Sequence, residues 1–124
     1  MPTHVVTNQV PPLTDYSMFA SDQALVEAVG RHGASWAMDE LTEFGELTGG
    51  ASLLEHGRLA NENKPIFKPF DRLGHRQNLV EFHPSYHELM KTSMGAGLHC
   101  QPWADERLGS MVARVAKSNL MTQV

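Results

Sequence analysis

Apolar residues recur at helical spacing along most of this chain, and glycine or proline interrupts the pattern at short intervals. That combination restricts the fold to several short amphipathic helices packed on one another. Ala24, Leu25, Ala28 and Val29 form one face of a first helix over residues 22–32, with Ser21 as its N-cap, Asp22 in its first turn and Gly33 as its stop. Trp36, Leu41, Phe44 and Leu47 mark a second helix from Ser35, closed by Gly49-Gly50, with Asp39, Glu40, Glu43 and Glu46 on its solvated side. Ser52 caps a third over residues 53–61, in which Leu53, Gly57 and Ala60 leave a face small enough for another helix to approach. Gly57 costs about 1 kcal/mol relative to alanine in a helix, so it either has a packing reason or is simply tolerated.

The period changes between Pro65 and Phe82. Ile66-Phe67-Lys68-Pro69-Phe70, a turn-like Asp71-Arg72-Leu73-Gly74 and Leu79-Val80-Glu81-Phe82 predict a two-stranded excursion, in which Pro65 and Pro69 confine the first strand to an edge. Pro84 suits the first turn of a fourth helix, whose Tyr86, Leu89, Met90 and Met94 face inward until Gly95 and Gly97 end it. The expected fold is therefore mainly α, with about five helices and a small β-hairpin or extended excursion near residues 65–82. Residues 1–14, with Pro2, Pro11 and Pro12 and no helical period, form an extended N-terminal arm ahead of a helical domain over 15–124.

The last helix is predicted over residues 105–124, with Leu108, Met111, Val112, Val115 and Leu120 as its apolar stripe and Asp105 and Glu106 at the positive end of its dipole. Its closing residues, Leu120-Met121-Thr122-Gln123-Val124, contain no stop signal. The pattern is that of a helix cut from something longer, a frayed natural terminus being the other reading.

At 124 residues the chain fits one domain, which buries roughly two-thirds of the surface its unfolded form exposes. A hydrophobic share of 41% and the absence of low-complexity runs place it among soluble globular proteins, and no apolar run is long enough to span a bilayer. The amino terminus lacks a secretory signal, and the lone Cys100 excludes an internal disulfide, so a reducing cytoplasm is the expected location. The net charge of −4 hides an asymmetry. Residues 1–63 carry nine acidic side chains against Arg31 and Arg58, whereas residues 64–124 carry eight basic against five acidic. The acidic half argues against a domain that wraps nucleic acid, leaving at most a local basic contact around Lys64, Lys68, Arg72 and Arg76.

Constellations that carry chemistry are sparse. His83 and His87, at four-residue spacing, are the best start of a metal site and would need His99 or Cys100 to complete it. However, His83 directly precedes Pro84, and no glutamate stands between the two histidines as a zinc-hydrolase motif requires. Cys100 as a nucleophile would need a lowered pKa and a placed base, and the simpler reading is an inert thiol. Asp39 and Glu43 read as exposed charges rather than an acid–base pair, and neither Gly49-Gly50 nor Gly95-Ala96-Gly97 has the spacing and lysine of a phosphate loop. Trp36, Phe44 and Tyr86 fall on helix faces explained by packing, whereas Trp103, beside Pro102, either anchors a neighbour or closes the core.

Several segments in order resemble a known family: Leu25-Val26-Glu27-Ala28-Val29 and Gly33-Ala34-Ser35-Trp36, then Glu55-His56-Gly57-Arg58-Leu59-Ala60-Asn61-Glu62-Asn63, then Glu81-Phe82-His83-Pro84-Ser85-Tyr86-His87, and Met111-Val112-Ala113-Arg114. From about Asn8 onward the chain is similar to the N-terminal domain of the AidB-like, alkylation-response branch of the acyl-CoA dehydrogenase family. The resemblance implies a parent flavoprotein of three domains that binds FAD, forms tetramers and is associated with protection of DNA from alkylation. In that family the catalytic carboxylate, most flavin contacts and the DNA-binding role belong to later domains. The resemblance therefore implies no catalytic, cofactor-binding or metal residue within this chain, and an isolated chain that is inactive. Its partners are then the remaining domains and further copies, with no membrane. The alternative is a free-standing helical interaction module that binds through the arm, Trp103 and the end of the last helix. A small metal-dependent enzyme built on His83, His87 and His99 is a third reading.

Overall fold

The computed structural model describes residues 1–124. Its elements are α1 (Gln23–Arg31), a 3-10 turn (Ser35–Ala37), α2 (Met38–Gly49), α3 (Ala51–Glu62), β1 (Ile66–Phe70), β2 (Arg76–Glu81), α4 (Pro84–Gly95), α5 (Gln101–Ala104) and α6 (Ser110–Met121). The fold is mainly α with a small antiparallel hairpin, as the periodicity predicts. Residues 1–13 are exposed and hold no helix or strand.

α6 is the centre of the packing, touching α1, α2 and α5, while α3 lies between α2 and α4. The core joins Met18 and Phe19, from the turn before α1, to Val29, Leu41, Phe44 and Leu120, with Ala34, Ala37, Ala113 and Ala116 filling the spaces between them. The alanines matter because a small side chain lets helix axes approach closely while the large ones interdigitate around them.

Local chemistry sets the boundaries. Asp22, rather than Ser21, caps α1 and accepts the Leu25 N–H at 3.0 Å. The junction of α2 and α3 is a single extended residue, Gly50, and Ser52 makes no cap there. Instead, Asp15 reaches in from the N-terminal segment: its N–H donates to the Gly49 carbonyl at 2.7 Å and its Oδ1 accepts the Ala51 N–H at 3.1 Å. Gly45 is required by the same seating, since a Cβ there would lie 2.6 Å from both the Phe19 nitrogen and Ser17 Oγ. Gly57 has a packing reason as well: a side chain would collide with the Val124 carbonyl, so what approaches is the turn after α6 rather than another helix.

In the hairpin, Ile66 pairs with Glu81, Phe67 with Val80, Lys68 with Leu79 and Phe70 with Arg76. The register shifts opposite Pro69, which has no N–H to give, and Asn78 takes a left-handed conformation (φ 49°) to absorb the extra residue on β2. Asp71 Oδ1 closes the turn by accepting from the Leu73 and His75 N–H groups at 2.8 and 2.9 Å.

The last helix differs from expectation. It begins at Ser110 and ends at Met121, because Gly109 is left-handed (φ 87°) and the region of Asp105 and Glu106 lies outside it. Its buried face is Ser110, Ala113, Ala116, Lys117 and Leu120, while Leu108, Met111 and Val115 point outward. Small residues beside a helix give little signal in a pattern of large apolar ones, so of the stripe expected to face the core only Leu120 is buried in it and Val112 packs against it, while the other three face away. Ala24, Leu47 and Met94, likewise assigned inward, are exposed.

Candidate functional site

A cleft of about 620 Å³ opens between α2 and α4, walled by Glu40, Glu43, Glu88 and Lys91, with Phe44 and Leu47 on its floor. Lys117 closes its inner end. Lys117 is 2% exposed, and its ammonium meets Glu40, donates to the Ala96 carbonyl at 3.0 Å and to Gln101 Oε1 at 3.1 Å. A buried cation with three acceptors is satisfied, and it joins α6 to α2 and to both ends of the α4–α5 loop. Lys91 stands 4.0 Å from Glu88, while Glu43 has no ionic partner. The cleft is therefore acidic over an apolar floor. For an anionic dinucleotide such as FAD this is the wrong chemistry, since Lys117 and Lys91 are already paired with Glu40 and Glu88 and Glu43 is left over, so no free cation faces its pyrophosphate; the residues here do not fit that cofactor.

A second, apolar groove of about 290 Å³ runs between α1 and α6, lined by Leu25, Ala28, His32, Met111, Val112 and Val115. Leu108, 90% exposed, and Trp103, 76% exposed, are likewise uncovered. Trp103 does not close the core. Trp36 is held instead: its indole N–H donates to the Leu108 carbonyl at 2.8 Å and the Arg107 guanidinium lies 3.6 Å from its ring centre. Arg107 also binds Asp105 at 2.6 Å, a hydrogen bond that holds the Asp105 carboxyl below its usual range. On α3, Arg58 does the same for Glu55.

The residues considered for chemistry are not brought together. His83 caps α4, its Nδ1 accepting the Ser85 N–H at 3.1 Å. His87 and His99 are exposed, Cys100 is half-buried, and no three His, Cys, Asp or Glu side chains form a group able to hold a metal ion. His56, not singled out by sequence, shares a 3.0 Å hydrogen bond with Ser85 that ties α3 to α4. Asp39 and Glu43 are exposed on α2. Lys64, Lys68, Arg72 and Arg76 gather on the hairpin and its flank, where Lys68 pairs with Glu81 and Arg76 Nε donates to Asn78 Oδ1 at 3.0 Å. No helix is long and apolar enough to cross a membrane.

Comparison with known proteins places this arrangement. The chain is 44% identical over 123 residues to AidB of Escherichia coli (strain K12), whose name puts it among the acyl-CoA dehydrogenases; the match takes in 98% of this chain and 23% of that protein. Two solved structures share the fold: Caenorhabditis elegans ACDH-11 in complex with C11-CoA, at a TM-score of 0.79 and 18% identity over 98% of this chain and 22% of the other, and Bd2924 in its apo form, at 0.78 and 21% over 93% and 24%. The chain thus spans about a quarter of the length of each relative. Residues 8–124 match the family described as the adaptive response protein AidB N-terminal domain, and the chain belongs to that family.

Proposed function

We propose that this chain is the N-terminal helical domain of an FAD-dependent, acyl-CoA dehydrogenase-like protein, in which it packs against the other domains and against further subunits. On this reading residues 1–14 are an assembly arm and residues 15–124 a folded body. The observation that carries it is the outward apolar surface of a body whose core is already filled: Met111 and Val115 are half-exposed along the α1–α6 groove, and Leu108 and Trp103 are exposed as well. An exposed patch of that kind marks a surface meant to be covered. Membership of the AidB N-terminal family and the quarter-length match support the larger protein. FAD, the catalytic carboxylate and any contact with DNA in the alkylation response are assigned to segments outside this chain. The reading also places the protein in the cytoplasm, as a homotetramer.

The test is the complete protein. Expressed through all its domains it should be yellow and hold FAD, whereas residues 1–124 alone should bind none and oxidise no acyl-CoA. A colourless complete protein that added FAD does not load would contradict the proposal.

A further inference from the structure

We propose that the β-hairpin of one copy docks, through its basic apolar face, into the acidic α2–α4 cleft of a second copy. This rests on the assembly role proposed above and adds a second pair of surfaces to the α1–α6 side.

The hairpin cannot be self-sufficient. It makes almost no contact with the helices, every residue of β2 is exposed, and Ile66, Phe67, Phe70, Leu79 and Val80 all stand in solvent. A lone two-stranded ribbon is at best marginally stable in water. The pairing register sorts its side chains: Ile66, Lys68 and Phe70 share one face with their partners Glu81, Leu79 and Arg76. On that face Lys68 is neutralised by Glu81, leaving Arg76 without an acidic partner, and Arg72 stands at the adjoining tip.

The cleft is the complement. Phe44 and Leu47 offer an apolar floor, and Glu43 is the carboxylate left over once Lys117 has taken Glu40 and Lys91 has taken Glu88. Its 620 Å³ accommodates several large side chains. The hairpin leaves the body at the Pro84 end of α4, while the cleft follows the later turns of the same helix from Glu88 to Gly95. Two copies with their α4 helices antiparallel would each lay a hairpin over the other's cleft, giving a closed, two-fold interface. Charge complementarity selects this occupant: the basic excess of residues 64–124 reaches its most exposed point on the hairpin, and the acidic excess of residues 1–63 includes the α2 wall of the cleft.

The experiment is sedimentation equilibrium of the 124-residue chain and four variants. Arg76→Glu and Glu43→Arg should each weaken dimerisation about ten-fold or more, and the double reversal Arg76→Glu/Glu43→Arg should restore it to within about three-fold of the parent chain, since opposite charges again face each other. Both positions are exposed, and helical circular dichroism should be unchanged. Leu47→Ser, which removes apolar floor without adding charge, should weaken the dimer with no rescue by either reversal. A chain that stays monomeric at its highest concentration would overturn the proposal and give the cleft to another part of the longer protein. Association that survives the single reversals, or a double variant as weak as the two losses combined, would overturn this surface while leaving the assembly role and the FAD test untouched.

Discussion

The helical body and the hairpin treat their apolar residues in opposite ways. In the body, Phe19, Leu41 and Leu120 are fully buried and no buried side-chain nitrogen or oxygen lacks a partner. In the hairpin, Phe67 is 59% exposed and its cross-strand neighbour Val80 is 45% exposed. One sequence thus holds a body with a completed core beneath a partly apolar surface and a hairpin with no core of its own. The contrast teaches where stability ends and assembly begins, and substitutions can probe it from both sides.

The largest effect belongs to the core. Leu41→Ala should lower the unfolding free energy by about 2–5 kcal/mol, whereas Phe67→Ala should change that of the monomer by no more than about 0.5 kcal/mol; urea titrations of both at low protein concentration check the pair. Equal losses would break the contrast. Next comes the ion pair at the base of the cleft. Lys117 has a side chain 3% exposed and Glu40 one that is 50% exposed, so the two partners are not equivalent. Glu40→Ala leaves a buried ammonium without its counter-charge, whereas Lys117→Met frees the carboxylate to turn into water but takes the donor from the Ala96 carbonyl and Gln101 Oε1. Each should therefore cost about 1–3 kcal/mol, and Lys117→Met/Glu40→Ala should cost less than the two single losses combined.

Asp15→Ala should cost about 1 kcal/mol by removing the acceptor for the Ala51 N–H, and the loss should appear in the same cooperative unfolding as the core. The smallest effect is a pH dependence. Asp105, held below its usual range by Arg107, contributes stability at neutral pH that is lost as pH falls through its folded value. Asp105→Asn should lower the melting temperature slightly at neutral pH, leave it nearly unchanged below the folded value of Asp105, and so flatten the acid limb.

Those residues also mark how far the sequence could be read. Helix ends set by local chemistry were legible: Gly33, Gly49-Gly50, Pro84 and the Asp71–Gly74 turn lie where propensity puts them, because the backbone conformation each favours does not depend on distant contacts. Asp15 was not legible, since its cap acts across 36 positions. Nor was the inward face of α6, where Ala113, Ala116 and a paired Lys117 took the core side because close approach to α2 favours small side chains, leaving the larger Met111 and Val115 outside. His83 and His87 are near in sequence, yet one caps α4 and the other faces solvent, a separation that four-residue spacing does not reveal.

Hydrogen exchange of the hairpin amides as a function of protein concentration separates a self-sufficient hairpin from one covered by a second copy. The account predicts that the amides of α2 and α6 exchange slowly at every concentration, while those of β1 and β2 exchange fast in the dilute monomer and become protected as copies associate. Hairpin amides as protected in the dilute monomer as those of α6 would contradict it.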